Sequence, residues 1–195
     1  ILSLLGGDGL KTVYAKFKDN GGNASAAFIS DDIILDTTGP TGTIAINNGD
    51  TFTPQQAVTV NLTAVDAWAN ITMRVWEDGG ADTGWVFFQS APSFNLTAND
   101  GTKTVKVQFK DGGGNLSAIY SDTINLDTTA PRCHVSINSG DAYTNTKNVV
   151  LTVTTDAAPY DDAYEVRIGE SAGTGTWQAF TGAPMTINFT MSNGE

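Results

Sequence analysis

From Lys103 to Lys110 the chain alternates, with Lys103, Val105, Val107 and Phe109 on one parity and Thr104, Lys106, Gln108 and Lys110 on the other. Neighbouring side chains on a strand point to opposite faces, so this pattern predicts a strand with Val105, Val107 and Phe109 inward and the lysines outward. The turn cluster Asp111-Gly-Gly-Gly-Asn115 follows, and then a second strand carrying Leu116, Ala118, Tyr120, Ile124 and Leu126 on one parity. Glycine supplies the positive φ a tight turn needs, and Asp or Asn side chains bond back to the turn backbone. The stretch predicts a β-hairpin with one apolar and one wet face. Upstream, Val13, Ala15 and Phe17 alternate with Tyr14, Lys16 and Lys18 and lead into Asp19-Asn-Gly-Gly-Asn23. The second strands differ in length: Asn23 to Asp36 is thirteen steps, Asn115 to Asp127 twelve. The extra residue predicts a bulge between Ala26 and Asp32, since otherwise it would reverse side-chain parity.

The hairpin is part of a longer repeat. Asp8 recurs as Asp100 and Pro40 as Pro131, spacings of 92 and 91 residues, which fit a β-sandwich of about 100 residues. Between the copies the alternation predicts strands over Thr43–Asn47, Ala57–Val65 (Val58, Val60, Leu62 and Ala64 inward), Ile71–Trp76 (Ile71, Met73 and Val75 inward), Trp85–Phe88 and Ser93–Ala98. With the hairpin that makes seven strands, which two packed antiparallel sheets accommodate. After Pro131 the unit restarts. Asn138 to Thr144 matches Asn47 to Thr53, Val149, Leu151 and Val153 match Val58, Val60 and Leu62, and Trp177 with Phe180 echoes Trp85 with Phe88. Tyr164, Val166 and Ile168 fill its third strand. Ile1–Leu5 aligns with Ser93–Thr97. The expected organisation is thus residues 1–38 as the last strands of one unit, 41–128 as a complete sandwich, and 132–195 as a unit lacking its last two strands.

Residues Asp36-Thr-Thr-Gly-Pro40 and Asp127-Thr-Thr-Ala-Pro131 read as linkers, because proline ends strand pairing and stiffens the join. Counterparts of Val13, Ala15, Phe17, Ile33 and Leu35 are missing from the last unit. At about 1.5–3 kcal/mol per large buried side chain, that loss rivals the roughly 5–15 kcal/mol stability of a domain. Residues 132–195 are therefore expected not to fold alone. Two arrangements remove the problem: a window on a longer array, or completion of residues 132–195 by residues 1–38 of the next molecule, a head-to-tail strand complementation.

A formal net charge of −11 removes the clustered positive charge that phosphate binding requires, and it equally disfavours anionic membrane surfaces. The acids are mostly Asp in turns. A single cysteine, Cys133, allows no intrachain disulfide, and no apolar run approaches the roughly 20 residues of a membrane helix. The only histidine, His134, adjoins Cys133. On a strand the two point to opposite faces, Cys133 inward and His134 outward, which prevents a Cys–His dyad. Asp31-Asp32 and Asp161-Asp162 are expected in polar loops, as solvated faces with nothing apolar to raise a carboxyl pKa. No cluster offers zinc its three or four ligands, and Gly112 to Gly114 precedes no helix and is no phosphate loop. These exclusions predict a protein that is not an enzyme.

The residues Asp100 to Val105, Phe109-Lys-Asp111, Gly114-Asn115, Ser117 and Asp127 to Pro131 resemble the bacterial immunoglobulin-like repeat family, also described as fibronectin-III-like modules of secreted proteins. The first copy carries the same pattern with Leu10 for Thr102 and Gly39 for Ala130. The resemblance implies an all-β chain of tandem immunoglobulin-like or fibronectin-III-like sandwiches. It also implies a stiff or adhesive stalk outside the cell or on a virion, whose partners are neighbouring copies of the same module or chain. Some such modules bind calcium at their junctions through linker aspartates. Asp36 and Asp127 are the matching positions, with Asp19 and Asp111 in the turns as further candidates; no other cofactor is implied. Calcium takes six to eight oxygen ligands.

Trp76 breaks the inward parity of its strand, so it is the candidate for stacking on a sugar ring. Carbohydrate-binding accessory modules of a secreted glycanase are accordingly the alternative reading, beside a phage tail-fibre or capsid decoration protein. Trp85, repeated as Trp177, reads as a packing residue. Asn23, Asn61, Asn70, Asn95, Asn115 and Asn188 each begin an N-x-Ser/Thr pattern, a frequent accident of Thr-rich strands.

Overall fold

The computed structural model describes residues 2–68, 70–155, 165–169, 171, 175–180 and 185–190. The chain divides into two compact units, Ile1–Leu126 and Asp127–Glu195. Every regular element of the described residues is a strand or a single 3-10 turn, and no helix there is long and apolar enough to cross a membrane. Tyr164, Asp161, Asp162 and the last residues, Ser192–Glu195, lie outside the described residues.

The first unit opens with a two-stranded hairpin, β1 (Gly9–Ala15) and β2 (Ile29–Leu35), paired from Gly9↔Leu35 to Ala15↔Ile29, so that Asp31 and Asp32 lie within a strand and not in a loop. The sandwich follows. Strands β3 (Thr41–Ile46), β5 (Ala57–Val65) and β8 (Ser93–Asn95) make one sheet in the order β3-β5-β8. The other has the order β4-β10-β9-β6-β7, from β4 (Phe52–Thr53), β6 (Thr72–Glu77), β7 (Val86–Phe87), β9 (Gly101–Lys110) and β10 (Leu116–Leu126). One core lies between them: Ile46, Val58, Val60 and Leu62 from the first sheet meet Met73, Val75, Val105, Val107, Phe109, Ile124 and Leu126 from the second. The inward residues predicted from alternation in β5, β6 and β9 are the ones buried, with Ala64 and Ile71 half-buried at the margin. On β10 the expected face holds only beyond the register shift between Leu116 and Ile119: Ile124 and Leu126 are buried and Tyr120 half-buried, while Leu116 and Ala118 are exposed and Ser117 is buried instead.

Three further details depart from the sequence reading. The sandwich has an eighth strand, because the end of β10 recruits Phe52–Thr53 in parallel, Asn125↔Phe52 and Leu126↔Thr53. Lys103 lies on the core side rather than the wet one. Its ammonium donates to Thr97 Oγ1 at 2.7 Å and sits 3.7 Å from the Glu77 carboxylate, the pairing a buried cation requires. The irregularity of the first hairpin falls between Ala24 and Ile29, just before the ladder: Lys18 pairs with Ala24 and Ala15 with Ile29, so three steps on one strand face five on the other. In the second hairpin Lys110 pairs with Leu116 and Gln108 with Ile119, two steps against three. The extra residue of the first copy is taken up there, overlapping the predicted window only at its start.

In the second unit β11 (Cys133–Ile137), β12 (Asn148–Thr155) and β15 (Met185–Thr190) form a sheet in the order β11-β12-β15, and β13 (Glu165–Arg167) pairs with β14 (Trp177–Ala179). The repeat shows in local geometry. Asn47 and Asn138 both adopt positive φ, and their side-chain oxygens accept from Thr59 N at 2.9 Å and Val150 N at 2.8 Å. Arg74 stacks on Trp85 at 5.0 Å and Arg167 on Trp177 at 5.1 Å, from strands paired in the same way. Cys133 shares the side of Val135 and Ile137 as predicted, but that side is open: all three are exposed along a groove of about 620 Å³.

Candidate metal site

The hairpin turn of the sandwich is a small hydrogen-bonded knot. Asp111 Oδ1 accepts from Asn115 N at 2.9 Å, and Asp111 Oδ2 accepts from Asn115 Nδ2 at 2.9 Å. The same amide also donates to the carbonyl of Asp36 at 3.1 Å, which joins the linker to the turn. Gly39 closes the join. A Cβ there would collide with the carbonyl of Leu116, so the linker lies against the hairpin at a distance only glycine allows. Asp8 ties the linker from the other side, accepting from Thr37 N at 3.0 Å, Thr37 Oγ1 at 2.7 Å and Thr38 Oγ1 at 2.8 Å. These bonds, led by the Thr37 and Thr38 hydroxyls, hold the Asp8 carboxyl below the usual carboxylate range.

Against this join the fold places a third acid. Asp66 follows the last residue of β5, with Oδ1 accepting from Trp68 N at 2.8 Å. Asp36, Asp66 and Asp111 each present a carboxylate oxygen within 4.8 Å of the others. Asp111 is buried and the other two half-buried. None of the three forms an ion pair among the described residues. Burial is the largest influence on Asp111 and pushes its carboxyl up, yet the bonds from the Asn115 side chain and backbone, with those from Gly114 and Gly113, leave it below the ordinary value.

Asp36 Oδ1 accepts from Thr38 N at 3.1 Å, while Asp36 Oδ2 is buried with no hydrogen-bond partner. An orphaned carboxylate oxygen is costly unless something positive meets it. Three converging hard oxygens suit calcium, whose oxygen ligands lie at about 2.3–2.6 Å, so two bound to one ion stand within about 5 Å of each other. The residues fit the group.

Of the aspartates singled out from sequence, the fold brings Asp36 and Asp111 together. Asp19 is exposed in its own turn, accepting from Asn23 N at 2.8 Å and Asn23 Nδ2 at 2.9 Å. Asp127 accepts from Thr129 N at 3.1 Å and joins no acidic group among the described residues. Asp66 was missed because it is 30 and 45 residues from its partners and belongs to no spacing motif. A weak signal existed: the dipeptide Asp66-Ala67 recurs as Asp156-Ala157, one residue short of the 91-residue offset.

The aromatic candidate has a different environment. Trp76 is half-buried, with the Arg74 guanidinium over its ring at 5.4 Å. Arg74 also stacks on Trp85, donates to Asp82 at 2.8 Å and reaches Gln108 at 2.8 Å, while Lys110 lies 4.4 Å from the Trp85 ring. Packing within the sheet thus occupies these rings. Phe87 beside them is exposed.

No protein-family profile and no curated protein matches the chain. A solved structure described as a tetra-tandem repeat in the extending region of a large adhesion protein aligns with 94% of this chain and 48% of its own, at 24% identity and a TM-score of 0.32. This chain therefore spans about half the length of that one.

Proposed function

We propose that the chain is a non-enzymatic structural region of an extracellular or surface-exposed repeat protein, built of immunoglobulin-like sandwiches and acting as a stiff spacer or adhesive stalk. The observation that carries this reading is the linker Asp36–Pro40 locked into the Asp111–Leu116 turn, with its Asp36 carboxylate left half unsatisfied beside Asp66 and Asp111. Asp36, Asp66 and Asp111 would hold a calcium ion, which supplies the positive charge that lets three carboxylates converge. The chain's own groups do the rest. Asn115 keeps the Asp111 carboxylate oriented, the Thr38 amide fixes Asp36, and Gly39 allows the linker to sit against the hairpin. An array joined this way transmits force through the linker instead of flexing at it.

Thermal melting with calcium and with chelator tests the site. An ion at about one hundred times its Kd adds about 2.7 kcal/mol to the folded state. Calcium should therefore raise the Tm of the wild type and leave Asp66→Asn unmoved, since asparagine still accepts from the Trp68 amide. Identical wild-type melting curves in calcium and in chelator would refute the calcium-stiffened junction.

A further inference from the structure

In the complete sandwich a line of contacts joins the segment by which the chain enters to the segment by which it leaves. Entry runs over residues 36–53, through the linker, β3, a 3-10 turn at Asn47–Gly49 and β4; exit runs over residues 115–126, ending along β10. Asn115 Nδ2 donates to the Asp36 carbonyl at 3.1 Å, and Gly39 lies against the carbonyl of Leu116. Further along, the Gly42 amide donates to the Tyr120 hydroxyl at 3.2 Å and the Ile46 amide to Asp122 Oδ2 at 2.8 Å. At the far end the Asn125 amide donates to the Thr51 carbonyl at 2.9 Å, and Thr53 pairs with Leu126. These contacts advance in step, so the two segments lie side by side and run the same way, although β3 and β10 belong to different sheets.

Parallel neighbours respond to tension by sliding. A pull on the chain draws the entry segment back from Asp36 and the exit segment forward from Leu126. The bonds between them are then loaded together, and all must fail before either segment moves. Antiparallel segments under the same pull would open one bond at a time. The side chains that carry the line are held in place: the Tyr120 ring packs on Phe109 at 6.0 Å, and Asp122 Oδ1 accepts from Thr123 N at 2.8 Å. Pro40, fully buried, fixes the point of entry. We propose that this line is a shear clamp, the element by which the sandwich withstands tension passed from one linker to the next. The clamp rests on the stalk reading above and adds where the load is carried.

The test pulls the whole chain in chelator, so that no junction ion contributes, with handles on its first and last residues. A released length on the order of 300 Å marks the sandwich, since an extended residue spans about 3.3–3.6 Å. Forced unfolding follows the unfolding rate, so the readout is that rate at a fixed load. Tyr120→Phe removes one hydroxyl and should speed unfolding under load roughly three- to tenfold; Asp122→Ala, which removes a charged acceptor, should speed it roughly tenfold or more. Tyr120→Phe carries the test alone if circular dichroism shows that Asp122→Ala does not fold. Thr72→Val removes a bond from Thr72 Oγ1 to the Lys110 carbonyl, between strands that are still intact when the clamp gives. It should leave the loaded rate within about twofold of wild type. Moving the second handle to Gly112→Cys, in a Cys133→Ser background, puts both handles at the end where Asp36 meets Asn115. The bonds then open in turn, and the sandwich should yield at a clearly lower load. Tyr120→Phe and Asp122→Ala unfolding no faster under load than Thr72→Val would overturn the clamp, as would one yield load in both pulling geometries. Calcium-dependent melting tests the junction separately, and its failure would leave these rates in chelator as they are.

Discussion

The two hairpins, β1–β2 and β9–β10, share a turn, an alternation and a ladder, and differ in what lies beneath them. In both turns an aspartate accepts from the backbone and side-chain nitrogens of an asparagine four residues on, at 2.8–2.9 Å. In both, a serine hydroxyl accepts from the amide of the inward phenylalanine, Ser25 for Phe17 at 3.3 Å and Ser117 for Phe109 at 2.9 Å. Local structure is therefore written into the repeat itself, whereas burial depends on the sheet the hairpin meets. The largest effect should come from the core ring. Phe109→Ala is expected to destabilise the first unit by about 3–5 kcal/mol, and Phe17→Ala by less than about 0.5 kcal/mol. Urea unfolding at concentrations where the chain is monomeric compares them; equal losses would mean that the first hairpin is packed against something after all.

A second contrast lies at the strand facing that ring. Gly42 meets the carbonyl of Thr63 and the Phe109 ring where a Cβ would go, so Gly42→Ala should cost about 1–3 kcal/mol through overpacking. The equivalent Cys133 faces an open groove, and Cys133→Ala should change stability by less than about 0.5 kcal/mol in the monomer. A cheap Gly42→Ala would show that the sandwich yields at this point.

Much of this was legible from the residues. Period-two alternation located β5 to the residue and identified Val105, Val107 and Phe109 as core, because a one-sided sheet cannot shift register without exposing them. Lys103 was misread because alternation marks a face but not a partner: its parity is that of Val105, and only the fold reveals Glu77 within reach. The strand at Phe52–Thr53 has no pattern of its own and exists through pairing with β10. The cluster of three carboxylates was half legible. Asp36 and Asp111 stood out as linker and turn residues, while Asp66 reaches them only through the path of β5.

A smaller difference is expected from the turn asparagines. Asn115 bridges a buried carboxylate and the carbonyl of Asp36, whereas Asn23 holds only the exposed Asp19. Removing a hydrogen bond to a charged group costs about 1.5–3 kcal/mol when its partner is left buried. Asn115→Ala should accordingly cost about 2 kcal/mol and Asn23→Ala under about 1 kcal/mol. Differential scanning calorimetry in chelator separates them, and similar values would remove Asn115 from its place as the tie between linker and turn.

The smallest effect is a shift in acid. The Asn23 side chain, and then its backbone amide, hold the Asp19 carboxyl below its ordinary value of about 3.9. A carboxyl depressed in the folded state contributes stability that is fully present above that ordinary value and is lost as the pH falls through the folded one. Below pH of about 4, then, the first turn should loosen as Asp19 takes up a proton and stops accepting from Asn23. Asp111 is depressed too, but its turn is anchored by Phe109, Ile124 and Leu126 in the core and does not rely on one carboxylate. Amide exchange followed in an acid series should show Asn23 losing protection at a higher pH than Asn115. Loss of both at one pH would indicate that the two hairpins unfold as one cooperative element, and the independence of the exposed one would have to be given up.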